Sequence, residues 1–271
     1  MRSRTIGSSG GVISRAAQPY RLGFPGNGPF QHLQIMVFSR EEQEMDSFEM
    51  PNCDRLKAGI EAFEKNERRG SVYFEALDHI FSNWGSPIEM SMGVKTLLDI
   101  WHLSFYRFGN FDLSLLIDCV AQNLNILNRF KDRSINSLSN TDEDEIKDLF
   151  NQFLDTLRGG NRRSPVAVAK SLHLLAPDFF PLWDTDIALG YGSWWVFSEF
   201  GASEYIPFCW KIKYVSERVT QCECVLNPNP KRSLLKLIDE YNYSRFTKGW
   251  IRETHAKNSG CRLTPRNDPG A

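Results

Sequence analysis

Residues 163–191, with the sequence RSPVAVAKSLHLLAPDFFPLWDTDIALGY, carry the pattern that decides how this chain folds. Ser164 and Pro165 form a typical helix start, because the serine accepts a hydrogen bond from the first turn and the proline fits that turn. Apolar residues then recur at helical spacing until Pro177 ends the helix. Asp184 is placed to cap a second helix after a short connector. The stretch therefore predicts two helices joined by a connector.

The same helical period continues on both sides, from about residue 50 to residue 247. Apolar faces, capping residues and breaks predict further helices at residues 54–66, 72–83, 91–107, 112–130, 185–200, 203–222 and 233–246. The acidic run at 141–145 suits the positive end of another helix, which ends at Gly159-Gly160. We therefore predict one all-α globular domain of about eight helices over residues 50–247, with a helix-hairpin-helix-like segment.

The two ends of the chain differ from this domain in composition. Residues 1–40 contain five arginines, no acidic residue and many glycines, serines and prolines. We predict that residues 1–45 are a disordered extension, or an over-long reading frame with its true start at Met36 or Met45. An organelle transit peptide is a third interpretation. Residues 248–271 are predicted to form a flexible tail.

The balance of charges and the spacing of the cysteines limit the classes of function that the sequence supports. The chain has 32 basic and 33 acidic residues, so only a local basic patch would favour nucleic acid. No apolar run approaches the ~20 residues of a membrane-spanning helix. Of the six cysteines only Cys222 and Cys224 lie close together, without a second pair at the spacing of a zinc site. We therefore predict free thiols in a reducing cytoplasm, with no metal site and no cofactor.

The central stretch resembles the helix-hairpin-helix DNA glycosylase superfamily over residues 163–191. A turn precedes a helix with the spacing Val-x-x-x-Lys, and the connector ends in Asp-Thr-x-Ile. In that superfamily a lysine attacks the sugar C1′ and a later aspartate supports the developing charge. The resemblance implies that Lys170 is the nucleophile, that Asp184 is the catalytic aspartate, and that double-stranded DNA is the partner.

The resemblance is short and has departures. The family usually presents Gly-x-Gly in the hairpin, where this chain has Val166-Ala167-Val168-Ala169. Its Gly159-Gly160 pair lies further upstream, the connector is shorter, and no cluster cysteines follow. The pattern Ser/Ala-Lys-x-Leu-His, followed by Pro-x-x-Phe-Pro-x-x-Asp, is also similar to uncharacterised bacterial helical proteins.

The residue types around this pair suit imine chemistry. A nucleophilic lysine has to be partly deprotonated, which requires burial or a cationic neighbour, and the nearby leucines and phenylalanines can bury it. An aspartate can stabilise an oxocarbenium-like sugar in a dry, preorganised cleft. Lys170 and Asp184 are 14 residues apart, a spacing that a helix, a turn and a helix start can fold onto one cleft.

Four further residues are candidates for contacting DNA. Arg162 and Arg163 add positive charge before the helix, and His173 shares a helix face with Lys170. Trp183 has a ring that can stack on a flipped base, as have Trp194 and Trp195. Each residue also has a structural interpretation, as a solvated arginine pair, a satisfied buried histidine or core tryptophans. Structural interpretations exist for the other two candidates as well. Lys170 can lie at the rim of its helix with its amine in water, and Asp184 can serve only as a helix cap.

Two other functions fit the sequence. A non-enzymatic helical interaction module would present Trp and Phe side chains to a protein partner. A metal-dependent hydrolase would use Asp78, His79, Asp99 and His102. Against the second, adjacent residues on a helix point in different directions and do not easily share one metal ion.

Overall fold

A computed structural model describes residues 50–107, 109–193, 201–226 and 232–251. The extension at 1–45 and residues 252–271 of the predicted tail lie outside these ranges. The helices are α1 (Cys53–Asn66), α2 (Gly70–Ser82), α3 (Pro87–Trp101), α4 (Leu103–Tyr106), α5 (Leu113–Lys131), α6 (Glu143–Thr156), α7 (Pro165–Leu175), α8 (Thr185–Gly190), α9 (Gly201–Val219), α10 (Glu223–Leu226) and α11 (Leu234–Asn242). A π-helical turn, Tyr243–Thr247, follows α11. The described ranges contain only helices and one isolated bridge, which confirms the all-α prediction.

One hydrophobic core joins helices from both ends of the described chain. α2 packs on α3, α3 on α5, and α6 on both α7 and α9, while α11 returns to pack on α1. The α1–α11 contact is close because Gly59 faces Tyr241, where an added Cβ atom would lie 2.7 Å from the tyrosine ring. Among the described helices, none has both the length and the apolar character needed to cross a membrane.

α7 runs through this core. Ten of its 11 residues are buried, and the one that is partly exposed is Lys170. Its start is as predicted, since Ser164 Oγ accepts a hydrogen bond of 3.1 Å from the Ala167 N–H and Pro165 lies in the first turn. Helix packing therefore places a single ionisable amine where α7 meets an opening in the core.

α3 and α8 are the helices whose boundaries differ most from the predictions. α3 begins four residues before the predicted 91–107 helix because Ser86 caps it and a proline follows, the same signal that starts α7. It also ends earlier, at Trp101, after which α4 is a separate turn of helix. α8 ends at Gly190, and the later part of the predicted 185–200 helix lies outside the described residues from 194 onwards.

A disulfide bond links Cys53, the first residue of α1, to Cys222, which follows α9. This corrects the prediction that all the cysteines are free thiols and removes the argument that the thiols gave for a reducing compartment. Cys119 and Cys209 are free thiols, as predicted, and both are buried. The pairing spans 169 residues, so it depends on tertiary packing and has no signature in the local sequence.

Candidate functional site

A pocket of about 330 Å³ lies between α1, α3, α7, α8 and the segment around the end of α11. Charged side chains in its wall are Glu67, Arg69, Lys170, Asp184, Asp186, Asp239 and Lys248. Aromatic and imidazole rings come from Phe63, Trp101, His102, Trp183 and Tyr243. The volume lies within the range of about 300–1,000 Å³ that is usual for small-molecule sites.

Lys170 reaches this pocket from the middle of α7. Its Nζ donates a hydrogen bond to the main-chain oxygen of Trp101, 2.9 Å away. Burial lowers the pKa of Lys170 to about 8, and the positive charges of Arg69 and Lys236 act in the same direction. At pH 7 roughly a tenth of the amine is therefore neutral and has an electron pair to share.

Asp184 caps α8 and lines the same pocket as Lys170. One carboxylate oxygen accepts a hydrogen bond from the Ile187 N–H (2.8 Å), and the other accepts one from the Thr247 hydroxyl (2.6 Å). The negative charges of Asp184 and Asp239 oppose the effect of burial on the Lys170 pKa. The carboxylate is thus held in a fixed orientation and interacts electrostatically with the amine.

Two of the residues predicted to contact DNA lie in the core. His173 is fully buried, and its Nδ1 donates to the Phe180 oxygen (2.8 Å) while its Nε2 accepts from the Tyr73 hydroxyl (2.9 Å). Burial lowers the pKa of His173 to about 3, so the ring is neutral. Trp183 is 1% exposed and donates to the Pro165 oxygen (3.2 Å). His173 has no exposed surface, so its predicted contact with DNA would need the core to open, whereas contact by Trp183, which lines the pocket, stays a prediction.

The predicted arginine pair lies in the turn between α6 and α7, outside the pocket wall. An antiparallel bridge between Gly159 and Arg162 closes this turn. The Arg162 guanidinium lies over the Phe105 ring at 4.9 Å and donates to the oxygen of the same residue. Arg163 donates to the Asp155 carboxylate at 2.7 Å. The structure does not bring either arginine together with Lys170 in the pocket.

A second pair of charges borders the pocket. Arg69 binds the Glu67 carboxylate through two side-chain hydrogen bonds of 2.9 Å, which lower the pKa of Glu67 to about 2. The same guanidinium donates to the Tyr243 hydroxyl at 3.2 Å, and Lys248 Nζ lies 5.3 Å from the centre of that tyrosine ring. Two cations are therefore placed around one aromatic ring at the pocket wall.

Sequence reasoning missed a second lysine in this region. Lys236 on α11 is 1% exposed, and its Nζ donates to Asp239 at 2.8 Å. The ring centres of Phe63, Trp101 and Tyr73 lie 4.5, 5.1 and 5.3 Å from the same Nζ atom. The only sequence signal is a lysine three residues before an aspartate, a pattern that is common on exposed helix faces. Nothing local shows that this face of α11 is buried.

The residues of the metal-dependent alternative have other partners. His79 pairs with Glu89 at 3.0 Å, Asp99 pairs with a lysine one turn earlier, and His102 Nε2 lies 2.7 Å from Ser164 Oγ. Within the described ranges, no three His, Cys, Asp or Glu side chains are grouped so that they could hold a metal ion. These residues therefore give the metal-dependent interpretation no support.

Comparison with known proteins gives no relative from which to transfer a function. No protein-family model matches the sequence, no curated protein matches it, and no solved structure matches the fold.

Proposed function

We propose that this protein binds double-stranded DNA and acts on the N-glycosidic bond of a damaged or modified nucleotide that enters the pocket. The observation that carries the proposal is the position of Lys170. The one partly exposed residue of a buried helix is a lysine whose pKa is lowered to about 8, in the same pocket as a fixed aspartate. Strongly perturbed ionisable groups in a pocket are candidates for catalytic roles.

The proposed reaction uses the neutral amine of Lys170 as the nucleophile. Nζ attacks C1′ while the bond from C1′ to the base nitrogen breaks, and the base leaves with the bonding electrons and takes up a proton. Nζ then gives up one proton, and the bond from C1′ to O4′ opens with its electron pair on O4′, which takes up a proton; this leaves a protonated imine between C1′ and Nζ. Water then adds to the imine carbon and releases the amine. Asp184 stabilises the positive charge that develops on the sugar.

The surroundings of the pair support this chemistry. Each oxygen of Asp184 accepts one hydrogen bond, so the carboxylate needs little reorganisation when the sugar becomes positive. The wall also carries Trp101 and Tyr243, whose rings can stack on a base taken out of the duplex. The turn with Arg162 and Arg163 precedes α7 on the surface, and these side chains would contact DNA phosphates.

The proposal is tested by trapping the imine. The full chain is incubated with duplex DNA that contains one abasic site, and sodium borohydride reduces any imine to a stable amine. We expect a covalent adduct with the native protein and none with Lys170→Gln. The matched control is Lys213→Gln, since Lys213 Nζ also donates to a main-chain oxygen, that of Leu138 at 2.8 Å. No adduct with the native protein, or an equal yield from Lys170→Gln, would reject the role of Lys170.

A non-enzymatic interaction module is the second candidate, favoured by an exposed apolar ridge. Ile88, Met92 and Ile100 lie along α3 and Leu103 begins α4; they are 56, 41, 41 and 62% exposed. The ridge is aliphatic, whereas we predicted a Trp and Phe surface; Trp194 and Trp195 lie outside the described residues. Two results together would favour this function. Lys170 would form no imine, and sedimentation would show an assembly of the native protein that Ile88→Ser dissociates.

A further inference from the structure

Lys236 is a buried cation enclosed by aromatic rings and two acidic side chains. Its Nζ lies 2.8 Å from Asp239 Oδ2 and 3.7 Å from Glu240 Oε1, and both carboxylates belong to α11. Phe63, Tyr73 and Trp101 surround the same atom. Removing an ion pair from water is costly, and a well-packed apolar group in its place is often as stable. The buried charge therefore calls for an explanation other than stability.

Trp101 and Asp239 connect this buried pair to Lys170. The main-chain oxygen of Trp101 accepts the hydrogen bond of Lys170, while the indole ring of the same residue covers the Lys236 ammonium. Asp239 binds Lys236 and also forms part of the pocket wall that holds Lys170. The two amines thus contact one residue, Trp101, through its main-chain oxygen and its ring respectively, and Asp239 binds one amine while it lines the pocket of the other.

We propose that Lys236 and Asp239 are positioning residues that set, in opposite directions, the fraction of Lys170 that is unprotonated. The proposal rests on the proposed function only in taking Lys170 as the reacting amine. A fixed positive charge at Lys236 disfavours a second ammonium nearby, whereas the carboxylate of Asp239 favours it. Charge at these two positions therefore tunes the reactivity of Lys170 without touching the nucleotide.

The other titratable groups around Lys170 have to be considered together. In the pocket wall they are Glu67 and Arg69 after α1, His102 after α3, Asp184 and Asp186 at α8, and Tyr243 and Lys248 beyond α11, while Glu240 lies against Lys236. Burial lowers the pKa of His102 to about 3, so it carries no charge at neutral pH. The negative charge of Glu67 is balanced by its ion pair with Arg69, and the negative charge of Asp184 favours the protonated form of Lys170. Lys236 is therefore one of few nearby cations that oppose the effect of Asp184.

The test measures the titration of Lys170 in the absence of DNA. The full chain is methylated with formaldehyde and cyanoborohydride at pH 6 to 10, and the modification at Lys170 is followed by peptide mass spectrometry. The midpoint of this pH profile reports the fraction of neutral amine. We expect Lys236→Met to raise the midpoint by about one unit and thereby to slow modification about tenfold at pH 7. Asp239→Asn should lower the midpoint.

A purely structural role would not move the two profiles in opposite directions. Lys213→Met is the matched control, because Lys213 also contacts a tryptophan ring and a main-chain oxygen, and its removal should leave the Lys170 midpoint unchanged. If Lys236→Met does not fold, the double variant with Asp239→Asn removes both charges together, and its midpoint should exceed that of Asp239→Asn alone. Unchanged midpoints, or shifts of the same sign in the single variants, would overturn the proposal.

This measurement separates the inference from the proposed function. Opposite shifts without any DNA adduct would keep the tuning of Lys170 and reject the glycosylase-like chemistry. An adduct with unchanged midpoints would keep the chemistry and reject the positioning role of Lys236 and Asp239.

Discussion

The amine of Lys170 lies 2.9 Å from the main-chain oxygen of Trp101, the last residue of α3. The last carbonyl groups of a helix have no partner within it, so this lysine satisfies a helix end while it lines the pocket. The two uses are compatible in the neutral amine, which has two N–H donors and one electron pair. Lys170 can therefore stay anchored to α3 and still present its electron pair to a substrate.

The pH dependence of stability provides the first prediction. The pKa of Lys170 falls from 10.5 to about 8 on folding, mainly through burial. Between these values the unfolded chain binds more protons at this residue than the folded protein does, so the free energy of unfolding rises with pH across this window. We expect native protein to gain more stability between pH 7.5 and 10 than Lys170→Met does. Urea unfolding at both pH values measures the difference, and equal gains would contradict the burial of the charge.

Substitutions of Asp184 separate its capping role from its proposed chemical role. Asparagine caps helices about as well as aspartate, so Asp184→Asn should change the free energy of unfolding by less than about 0.5 kcal/mol, whereas Asp184→Ala should cost about 1 kcal/mol. Both should reduce imine trapping on DNA about tenfold or more, because each removes the charge that stabilises the sugar. Asn52→Ala is a control, since Asn52 caps α1 through a hydrogen bond of 2.9 Å. If Asp184→Asn formed as much trapped imine as the native protein, the role of Asp184 would be limited to capping α8.

Local signals explain which parts of the site could be predicted. Ser164 and Asp184 mark helix starts through hydrogen bonds within three residues, so the sequence alone places them correctly. Lys170 could be singled out from the sequence as well, because it is the one lysine within an otherwise mainly apolar helix. Lys236 and the partner of Cys53 depend on how α11 and α10 pack against α1, and no local spacing records that packing.

His173 leads to a prediction about how the free energy of unfolding changes at acidic pH. Its pKa falls from 6.5 to about 3 because it is buried, so the folded state keeps the ring neutral while the unfolded chain takes up a proton below about pH 6.5. Stability is therefore lost as pH falls through this range. We expect His173→Gln to be less stable than the native protein at pH 7 by about 2 kcal/mol, since the Tyr73 hydroxyl and the Phe180 oxygen lose their partner.

Comparing pH 7 with pH 5 checks this mechanism. His173→Gln should lose less stability on acidification than the native protein, measured by chemical denaturation at both pH values. His79→Gln is the control, because His79 is partly exposed and pairs with Glu89 near the surface. If His173→Gln lost as much stability as the native protein, His173 would not be the group that takes up the proton.

The disulfide provides the last prediction. Cys53 begins α1, and Phe63 and Glu67, at or just beyond the other end of this helix, line the pocket, so the bond to Cys222 fixes one wall of the site to the end of α9. A cross-link over so long a loop contributes about 2–5 kcal/mol, chiefly by restricting the unfolded chain. Dithiothreitol should therefore add two titratable thiols and lower the urea midpoint of the native protein. The Cys53→Ser/Cys222→Ser variant should start at the lower midpoint and not respond. A native thiol count that dithiothreitol leaves unchanged would show that the pair is not oxidised.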